Sequence, residues 1–382
     1  MPSEMTLKNA RVVLDDEIVN GSVTIRDGVI IDVDTGSSDV GDDMEGDYLI
    51  PGLVELHTDH LESHYAPRPG VLWNSIAALQ AHDAQVAGSG ITTVFDCLRL
   101  GSDEFGGFKK GEMRVIADAL ETAAAEDRLR ASHMIHLRCE VSASDVLEHF
   151  DDFRTDPQVR LASLMDHAPG QRQFQTIEQY TLYYRKKRNL SDSDFERFIA
   201  YRLEESSLYA APHRKAIVEA CTKRGIALAS HDDATIEHVE ESKGFGVRLA
   251  EFPTSFEAAQ ASHHAGMAVL MGAPNVVRGK SHSGNISART LADEGVLDVL
   301  SSDYVPLSLI HAPFVLAADE SSSITLPQAI RMVSARPARA VGLDDRGRIA
   351  SGLRADLVRV RVRDDRSVPI VKSVWREGRR VA

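Results

Sequence analysis

The chain has 382 residues, which is long for one compact domain and suits a barrel of about 250 residues with a smaller companion. Its hydrophobic fraction of 43% and charged fraction of 26% are ordinary globular values, and its net charge is -14. This acidic balance argues against general binding to nucleic acid or to a membrane surface, although a few local arginines can still bind an anionic substrate.

Three scattered cysteines, Cys97, Cys139 and Cys221, do not indicate a disulfide framework. The sequence has neither a basic-then-apolar leader nor an apolar run of bilayer length. We therefore expect a soluble, cytoplasmic protein.

Short apolar and β-branched runs mark both ends of the chain, and acidic or glycine-containing turns separate them. The runs are Leu7–Leu14, Ile18–Ile25, Val29–Val33, Asp356–Val362 and Ile370–Trp375. They predict a small β-sandwich domain that both termini form, from residues 1–48 and 345–382.

Between these ends, apolar runs alternate with amphipathic helical segments. The predicted strands are Leu49–Thr58, Ile91–Leu98, Ser132–Glu140, Val159–His167, Ile226–Asp232, Val247–Pro253, Met267–Gly272 and Leu297–Tyr304. The clearest helices are Asn74–Ala87, Glu112–Asp127, Pro212–Arg224 and Ser255–Ala265. Eight alternations predict the α/β class and a (β/α)8 TIM-like barrel over residues 49–344. Residues 176–209 are too long for a simple loop, and we predict a helical insertion there.

Residue types that bind metals fall at the ends of several predicted strands. His57 and Asp59 end the first strand and share one face of it, because alternate side chains of a strand point the same way. Later strands end at Glu140, at His167, at His231 and at Asp303. The active site of a (β/α)8 barrel lies at the carboxyl ends of its strands, so these residues predict a metal site. Imidazole and carboxylate ligands favour zinc, manganese or iron over magnesium alone.

Other histidines do not fit this pattern. His82, His238, His263 and His264 lie within helical segments, and we interpret them as surface or packing residues.

The run from Pro51 to Asp59 resembles the first-strand motif of the amidohydrolase superfamily. The flanking β domain, the segment Thr325–Leu343 and the run Gly352–Leu357 fit the same pattern, so the resemblance covers essentially the whole chain. It implies that the metal ligands are His57, Asp59, Glu140, His167 and His231, and that Asp303 accepts a proton from the attacking water. Most members have histidine where Asp59 stands, and many have a carboxylated lysine where Glu140 stands. The resemblance therefore leaves open which divalent metal binds, and whether one or two ions bind.

A closer resemblance, to the phosphonate-utilisation branch of this superfamily, lies in four separate segments. They are His57–Glu62, Pro67–Gly70, Ala273–Asn285 and Ser301–Pro306. The resemblance implies hydrolysis of a ribose 5-triphosphate that carries a phosphonate, with release of pyrophosphate, in the carbon–phosphorus lyase pathway. Dimers are common in the superfamily, so we expect a homodimer, and association with other proteins of phosphonate metabolism is left open.

The loop after the seventh strand is rich in groups that bind phosphate. Glycines let backbone N–H groups approach phosphate oxygens, while lysine and arginine supply charge. The predicted substrate-binding residues are Arg68, Arg278, Gly279, Lys280, Ser281, His282, Ser283 and Asn285. Arg172 is a further candidate, whereas the basic run Arg185–Arg188 is typical of a solvated helix face.

Two alternatives remain at this stage. The first is an amidohydrolase that acts on a C–N bond, such as a sugar deacetylase, a D-aminoacylase or a cyclic amidase. The second is a non-catalytic scaffold that has kept the barrel.

Overall fold

The computed structural model describes residues 4–36, 38–101, 111–172, 177–178, 180–181, 191–279, 285–363 and 368–382. Its two sheets each contain eight strands. One is formed by the two ends of the chain, and the other by the middle.

The first sheet has the strand order β16-β15-β14-β5-β1-β2-β3, and β4 pairs with β1. Its strands are β1 Glu4–Val13, β2 Ile18–Arg26, β3 Val29–Asp34, β4 Asp42–Asp43, β5 Tyr48–Pro51, β14 Leu357–Arg361, β15 Ile370–Arg376 and β16 Arg379–Arg380. The sheet is mixed, because β5 pairs with β1 in parallel and with β14 antiparallel. The predicted meeting of both termini in one β structure is therefore confirmed. The exact division at residues 48 and 345 stays a prediction.

The core of this sheet joins residues from both ends of the chain. Leu7, Val12 and Leu49 pack in one buried cluster with Leu357 and Trp375. Burying these large apolar side chains stabilises the sheet by about 1.5–3 kcal/mol for each fully buried residue.

A buried carboxylate also ties the two ends together. The Arg359 Nε donates to Asp47 Oδ2 over 2.6 Å, and the Arg361 Nε donates to Asp47 Oδ1 over 2.8 Å. Burial alone would raise the pKa of Asp47, but the two guanidinium groups outweigh it and hold the pKa below its ordinary value.

We expect Asp47→Ala to lower the free energy of unfolding by about 2–4 kcal/mol, because it leaves two partly buried arginines without their shared anion. Denaturant unfolding would measure the change. Glu45→Gln is the matched control, since Glu45 pairs with the same arginines but is 61% exposed. Its loss is expected to stay below about 1 kcal/mol, and equal losses for the two variants would contradict the prediction.

The second sheet runs β13-β12-β11-β10-β9-β8-β7-β6, in chain order. Its strands are β6 Leu53–Thr58, β7 Ile91–Leu100, β8 Ser132–Glu140, β9 Val159–Met165, β10 Ala227–His231, β11 Leu249–Glu251, β12 Ala268–Gly272 and β13 Val299–Ser301. The pairs β6–β7, β8–β9, β9–β10, β10–β11 and β11–β12 are all parallel. Just after β13, Asp303 forms a parallel bridge with Thr58 of β6, so the last strand returns to the first. The predicted (β/α)8 barrel is confirmed.

Helices separate these strands. They are α1 His60–Tyr65, α2 Ser75–Gly88, α3 Glu112–Ala125, α4 Val146–Asp151, α5 Asp192–Arg224, α6 Ile236–Gly244, α7 Phe256–His264, α8 Ala273–Arg278, α9 Ala288–Asp293, α10 Ser308–Ala317, α11 Leu326–Arg331 and α12 Ala335–Ala340.

The predicted strand Leu49–Thr58 is divided at Gly52. Its first part, β5, belongs to the terminal sheet, and its second part, β6, begins the barrel. A Cβ atom at Gly52 would lie 2.2 Å from Thr92 Oγ1 and 2.9 Å from the Cβ of Asp356. Only glycine lets the chain pass this close to its neighbours as it changes sheets.

Helix α5 differs from the predicted helix Pro212–Arg224. It begins twenty residues earlier, where the Ser191 hydroxyl accepts from the Asp194 N–H over 3.2 Å, and Pro212 lies inside it. Proline costs the helix one hydrogen bond, but the turns on either side continue it. Gly225 ends the helix in the left-handed region with φ 68°, as predicted. The run Arg185–Arg188 lies outside the described residues, and the insertion at 176–209 stays a prediction.

The chain packs as two compact units. The first comprises Met1–Asp96, Leu120–Met134 and Met271–Ala382, and the second comprises Cys97–Ala119 and Ile135–Leu270. Cys97, Cys139 and Cys221 are free and buried. Within the described part of the chain, no helix combines the length and apolar character needed to span a membrane.

Candidate metal centre

Three side chains that can bind a metal, two of them predicted, converge at the strand ends of the second unit. Asp232 Oδ2 lies 3.6 Å from the Nε2 of His167 and 3.5 Å from the Nε2 of His231. The two imidazole rings stand nearly perpendicular, with their centroids 5.5 Å apart. The sequence analysis selected both histidines, and the structure adds Asp232.

Each of these histidines binds a carboxylate through its other ring nitrogen. His167 Nδ1 lies 2.7 Å from Glu140 Oε2, and His231 Nδ1 lies 3.2 Å from Glu251 Oε2. A carboxylate at Nδ1 fixes the ring and directs the Nε2 lone pair to the opposite side, which is the usual arrangement around a metal-binding histidine. Glu251, at the end of β11, is therefore a second residue that the sequence analysis missed.

The charges of this group follow from its burial and its pairing. Burial alone would raise the pKa of Glu140, but His167 and Arg202 lower it to about 2. Burial opposes the charge of His167, yet Glu140 and Asp232 raise its pKa to about 9. The pKa of His231 is lowered, chiefly by burial. The two carboxylates of Glu140 and Asp232 and the protonated ring of His167 together carry a net negative charge.

The donor set fits a divalent cation. Asp232 Oδ2 is buried and has no hydrogen-bond partner among the residues that the structure describes. Two histidine nitrogens and this carboxylate oxygen suit zinc and related transition metals. A cation at this point would replace the His167 proton, because it satisfies the same lone pairs and the same negative charges.

The Asp232 carboxylate lies close to the ring of His231 because strand β10 ends at His231. In a regular strand two successive side chains point to opposite faces. Asp232 has φ 58°, in the left-handed region, so its carboxylate turns back towards the ring of His231. Strict alternation along the sequence cannot show this turn.

In the first unit, a hydrogen-bonded group around Glu55 includes the backbone of His57 and of Ser302, which precedes Asp303. The Glu55 carboxylate accepts from the backbone N–H of His57 over 2.7 Å and from that of Ser302 over 2.5 Å. Burial is the main reason that the pKa of Glu55 is raised to about 7. Glu55 thus links the carboxyl ends of β6 and β13, where His57 and Asp303 stand.

Backbone and hydroxyl contacts hold Asp303 against β6. Its carbonyl oxygen accepts from the Thr58 hydroxyl over 2.9 Å and from the Asp59 N–H over 3.3 Å, and its own N–H donates to the His57 carbonyl. Asp303 has φ 53°, a backbone conformation that is uncommon outside glycine and concentrates at functional sites. The metal and proton-transfer roles of His57, Asp59 and Asp303 stay predictions.

The predicted substrate-binding residues are only partly described. Arg68, Arg278 and Gly279 are exposed. Asn275, near the start of the segment Ala273–Asn285, accepts from the Ala288 N–H over 3.1 Å. Asn285 is half-buried. Lys280, Ser281, His282 and Ser283 lie outside the described residues.

Arg172 already has partners within the protein, and its role in substrate binding stays a prediction. It is buried, and its guanidinium group pairs with Asp233 and with Glu241. It lines a cavity of about 630 Å³ with Asp166 and Arg214. Its charge is therefore already balanced within the protein.

Of the two interpretations given for His82, surface or packing residue, the structure supports packing. His82 is fully buried in α2, and its Nε2 lies 2.8 Å from Asp96 Oδ1. His133 Nδ1 lies 2.7 Å from the other oxygen of Asp96, and its Nε2 lies 3.3 Å from Asp83. Burial lowers the pKa of His133, but the two carboxylates outweigh it and raise the pKa to about 9. These contacts join α2, β7 and β8 in the interior of the first unit.

We expect the stabilising effect of His133 to depend on pH. Because its pKa in the folded protein is raised above the ordinary value of 6.5, its contribution is complete below about pH 6.5 and is lost as pH rises through about 9. His133→Gln should lower the free energy of unfolding by roughly 2–3 kcal/mol at pH 6 and by clearly less at pH 9.5. Urea unfolding at both pH values would test this. His264→Gln, at an exposed position on α7, is the control, and a pH-independent difference for His133→Gln would contradict the expectation.

The barrel, the carboxylate-bound histidines and the strand-end aspartates together define a family. Residues 48–381 match the sequence model of the amidohydrolase family. The chain belongs to that family.

Individual relatives are similar over nearly the whole chain. The alpha-D-ribose 1-methylphosphonate 5-triphosphate diphosphatase of Escherichia coli strain K12 is 45% identical over 379 residues, which cover 99% of this chain and 100% of the relative. An imidazolonepropionase of Thermoplasma volcanium is 25% identical over 388 residues, which cover 95% of this chain and 91% of the relative.

Solved structures share the fold at low sequence identity. An N-acetyl-D-glucosamine-6-phosphate deacetylase from Mycobacterium smegmatis has a TM-score of 0.64 and 15% identity, with 100% of both chains covered. A dihydropyrimidinase from Brevibacillus agri has a TM-score of 0.61 and 13% identity, with 99% of this chain and 95% of the other covered. These similarities concern the fold alone.

Proposed function

We propose that this protein hydrolyses α-D-ribose 1-methylphosphonate 5-triphosphate to the 5-phosphate and pyrophosphate, in alkylphosphonate utilisation. The observation that carries the proposal is 45% identity to the Escherichia coli diphosphatase along the full length of both chains. The reported relatives and structures whose names point to other activities are only 13–25% identical, so they support the C–N hydrolase alternative less than the diphosphatase supports the proposal. The scaffold alternative conflicts with the retained donor set of His167, His231 and Asp232.

The reaction is a displacement at the α-phosphorus. The oxygen of water forms a bond to that phosphorus, and the bond from the α-phosphorus to the bridging oxygen of the β-phosphate breaks. Pyrophosphate leaves with the electron pair of the broken bond. Asp303 accepts the proton of the attacking water as general base. The Thr58 hydroxyl binds its carbonyl, and Glu55 binds the N–H of the preceding Ser302, at the carboxyl end of the barrel.

The metal in this proposal is zinc, with manganese or iron as alternatives. His167, His231 and Asp232 would hold an ion, with Glu140 and Glu251 orienting the two rings. His57, Asp59 and direct ligation by Glu140 remain predicted contributions from the family resemblance. When bound, the ion supplies positive charge and lowers the pKa of water towards about 7.

Binding of the triphosphate is assigned to the segment from Arg278 to Asn285, with Arg68 as a further contact. Arg278 is exposed at the end of α8, and Gly279 follows it with φ 75°. An exposed guanidinium beside a glycine can approach a phosphate group without a side chain in between. Lys280, Ser281, His282 and Ser283 complete the proposed segment.

Phosphorus NMR with the purified protein, zinc and the ribose triphosphate tests the function. We expect the triphosphate signals to give way to pyrophosphate and a phosphomonoester, while the phosphonate signal persists. In water enriched with oxygen-18, the label should enter the ribose 5-phosphate, because attack occurs at the α-phosphorus. Release of orthophosphate, or label in pyrophosphate, would contradict the proposed displacement. Turnover of N-acetylglucosamine 6-phosphate without turnover of the triphosphate would favour the C–N alternative.

The proposal also covers the location of the protein in the cell and its assembly with other chains. We place it in the cytoplasm as a homodimer that associates with other proteins of phosphonate metabolism. Light scattering during size-exclusion chromatography would measure the mass in solution against 41.8 kDa for one chain. A mass of one chain at micromolar concentration would contradict the dimer.

A further inference from the structure

The two oxygens of the Glu140 carboxylate have different partners. Glu140 Oε2 lies 2.7 Å from His167 Nδ1, and this contact orients the ring in the candidate metal centre. Glu140 Oε1 accepts from the Ser142 hydroxyl over 2.6 Å and from the His167 backbone N–H over 3.0 Å. A carboxylate that is held at one oxygen cannot rotate freely. The contacts of Oε1 therefore decide where Oε2 points.

The Ser142 hydroxyl belongs to a chain of hydrogen bonds that begins on another element. Arg202, on α5, donates from its Nη2 to Ser142 Oγ over 2.9 Å. Arginine has no acceptor, and a hydroxyl group has a single proton, so the proton of Ser142 must point towards Glu140 Oε1. The chain therefore runs in one direction, from Arg202 through Ser142 to Glu140, and each bond polarises and strengthens the next.

Arg202 also acts on Glu140 through its charge. The Nη2 of Arg202 lies 3.6 Å from Glu140 Oε1. Burial would raise the pKa of Glu140, but His167 together with Arg202 outweighs it. Glu140 is therefore an anion that accepts hydrogen bonds at both oxygens and donates none.

The guanidinium group of Arg202 is itself held in place. Its Nη1 donates to Glu205 Oε2 over 2.8 Å, and the Tyr201 hydroxyl donates to Glu205 Oε1 over 2.8 Å. The side chain of Arg202 is 11% exposed, and Ser142 is buried. The carbonyl oxygen of a glutamine at position 205 could accept the same bond, so this contact does not require the charge of Glu205. Helix α5 thus presents Arg202 to the end of β8 as a fixed group.

We propose that Ser142 and Arg202 are positioning residues of the metal centre, which fix Glu140 so that its Oε2 orients the ring of His167. The inference rests on the metal centre of the proposed function and does not depend on the substrate. It makes α5 a support of this centre, through side chains that act on Glu140 rather than on the ion. Loss of either residue should therefore weaken metal binding by way of Glu140.

Zinc affinity of the full-length protein, measured by competition with a chromophoric chelator, tests the proposal. We expect Ser142→Ala and Arg202→Gln each to weaken binding by about 3- to 10-fold, because they act one bond further from the ion than partners whose loss costs about 10- to 100-fold. Ser207→Ala and Arg197→Gln, both exposed on α5, are the matched controls and should bind zinc like wild type. Circular dichroism checks folding. If Arg202→Gln does not fold, Ser142→Ala, which removes one oxygen atom, still decides.

The double variant Ser142→Ala/Arg202→Gln separates positioning from a general loosening of the structure. Because both residues act through the same oxygen of Glu140, the double variant should lose no more affinity than the weaker-binding single variant. Two independent structural effects would instead multiply.

Proton NMR of the metal-free protein gives a second readout. A proton on His167 Nδ1 that is shared with an anionic carboxylate over 2.7 Å should give a far-downfield signal. This signal should move upfield in Ser142→Ala and Arg202→Gln and stay in place in both controls. Wild-type zinc affinity in both single variants, multiplied losses in the double variant, or an unmoved His167 signal would each overturn the proposal. Neither measurement uses substrate, so a protein without diphosphatase activity can still confirm or overturn it.

Discussion

Asp303→Asn is expected to lower kcat by about 10³-fold while the protein still binds its metal. Asparagine cannot accept the proton of the attacking water, but it has the same shape and tolerates the left-handed backbone with φ 53°. The Asp303 carbonyl accepts from Thr58 and Asp59, and its N–H donates to the His57 carbonyl, and the substitution keeps all three contacts. The loss should therefore reflect chemistry rather than folding.

The measurements for this variant are the rate of pyrophosphate release and the metal content. Asp293→Asn, exposed on α9, is the matched control and should retain wild-type turnover. Near-normal turnover of Asp303→Asn would rule out the general-base role. Loss of metal together with turnover would instead assign Asp303 to the ligands.

Glu140→Gln is expected to weaken metal binding by about 10- to 100-fold. Glu140 accepts from the Nδ1 of His167 over 2.7 Å and from its backbone N–H over 3.0 Å. These contacts direct the Nε2 of the same ring towards Asp232. Glutamine keeps the size of the side chain but removes the charge that favours the proper tautomer and a bound cation. Competition with a chromophoric chelator would measure the affinity.

Glu205→Gln is the control for this second substitution. Glu205 pairs with Arg202, which also lies 3.6 Å from Glu140, but it does not bind His167 in the described structure. Its metal affinity should match wild type. If excess metal restores the turnover of Glu140→Gln, the defect lies in binding, whereas unchanged affinity in that variant would contradict the orienting role of Glu140.

Much of the barrel could be predicted because its strands are short apolar runs between clear helical segments. Ser132–Glu140 has the predicted bounds, and most other strands differ by a few residues at their ends. The break at Gly52 could not be predicted, because it depends on Thr92 and Asp356, which are distant in sequence. Pro212 misled for a related reason: a first-turn proline and one within a long helix look alike in sequence.

The candidate site was predictable where a ligand type ended a strand, as at His167 and His231. Asp232 was missed because its positive φ reverses the alternation that a strand pattern assumes. Glu251 was missed because its partner, His231, comes from another strand. The pairing of His82 with Asp96 and His133 likewise joins three elements, so spacing along the chain contains no signal for it.

The terminal sheet also constrains how the protein is made. Strand β5 leaves the ribosome early. Its partner β14, in which Arg359 lies opposite Leu49, emerges only near the end of synthesis. Until then β5 has an unpaired edge, and the apolar cluster lacks Leu357 and Trp375. The sheet can therefore be completed only after the final segment of the chain has been made. Chains that end shortly before this segment expose the unpaired edge of β5 to chaperones and proteases.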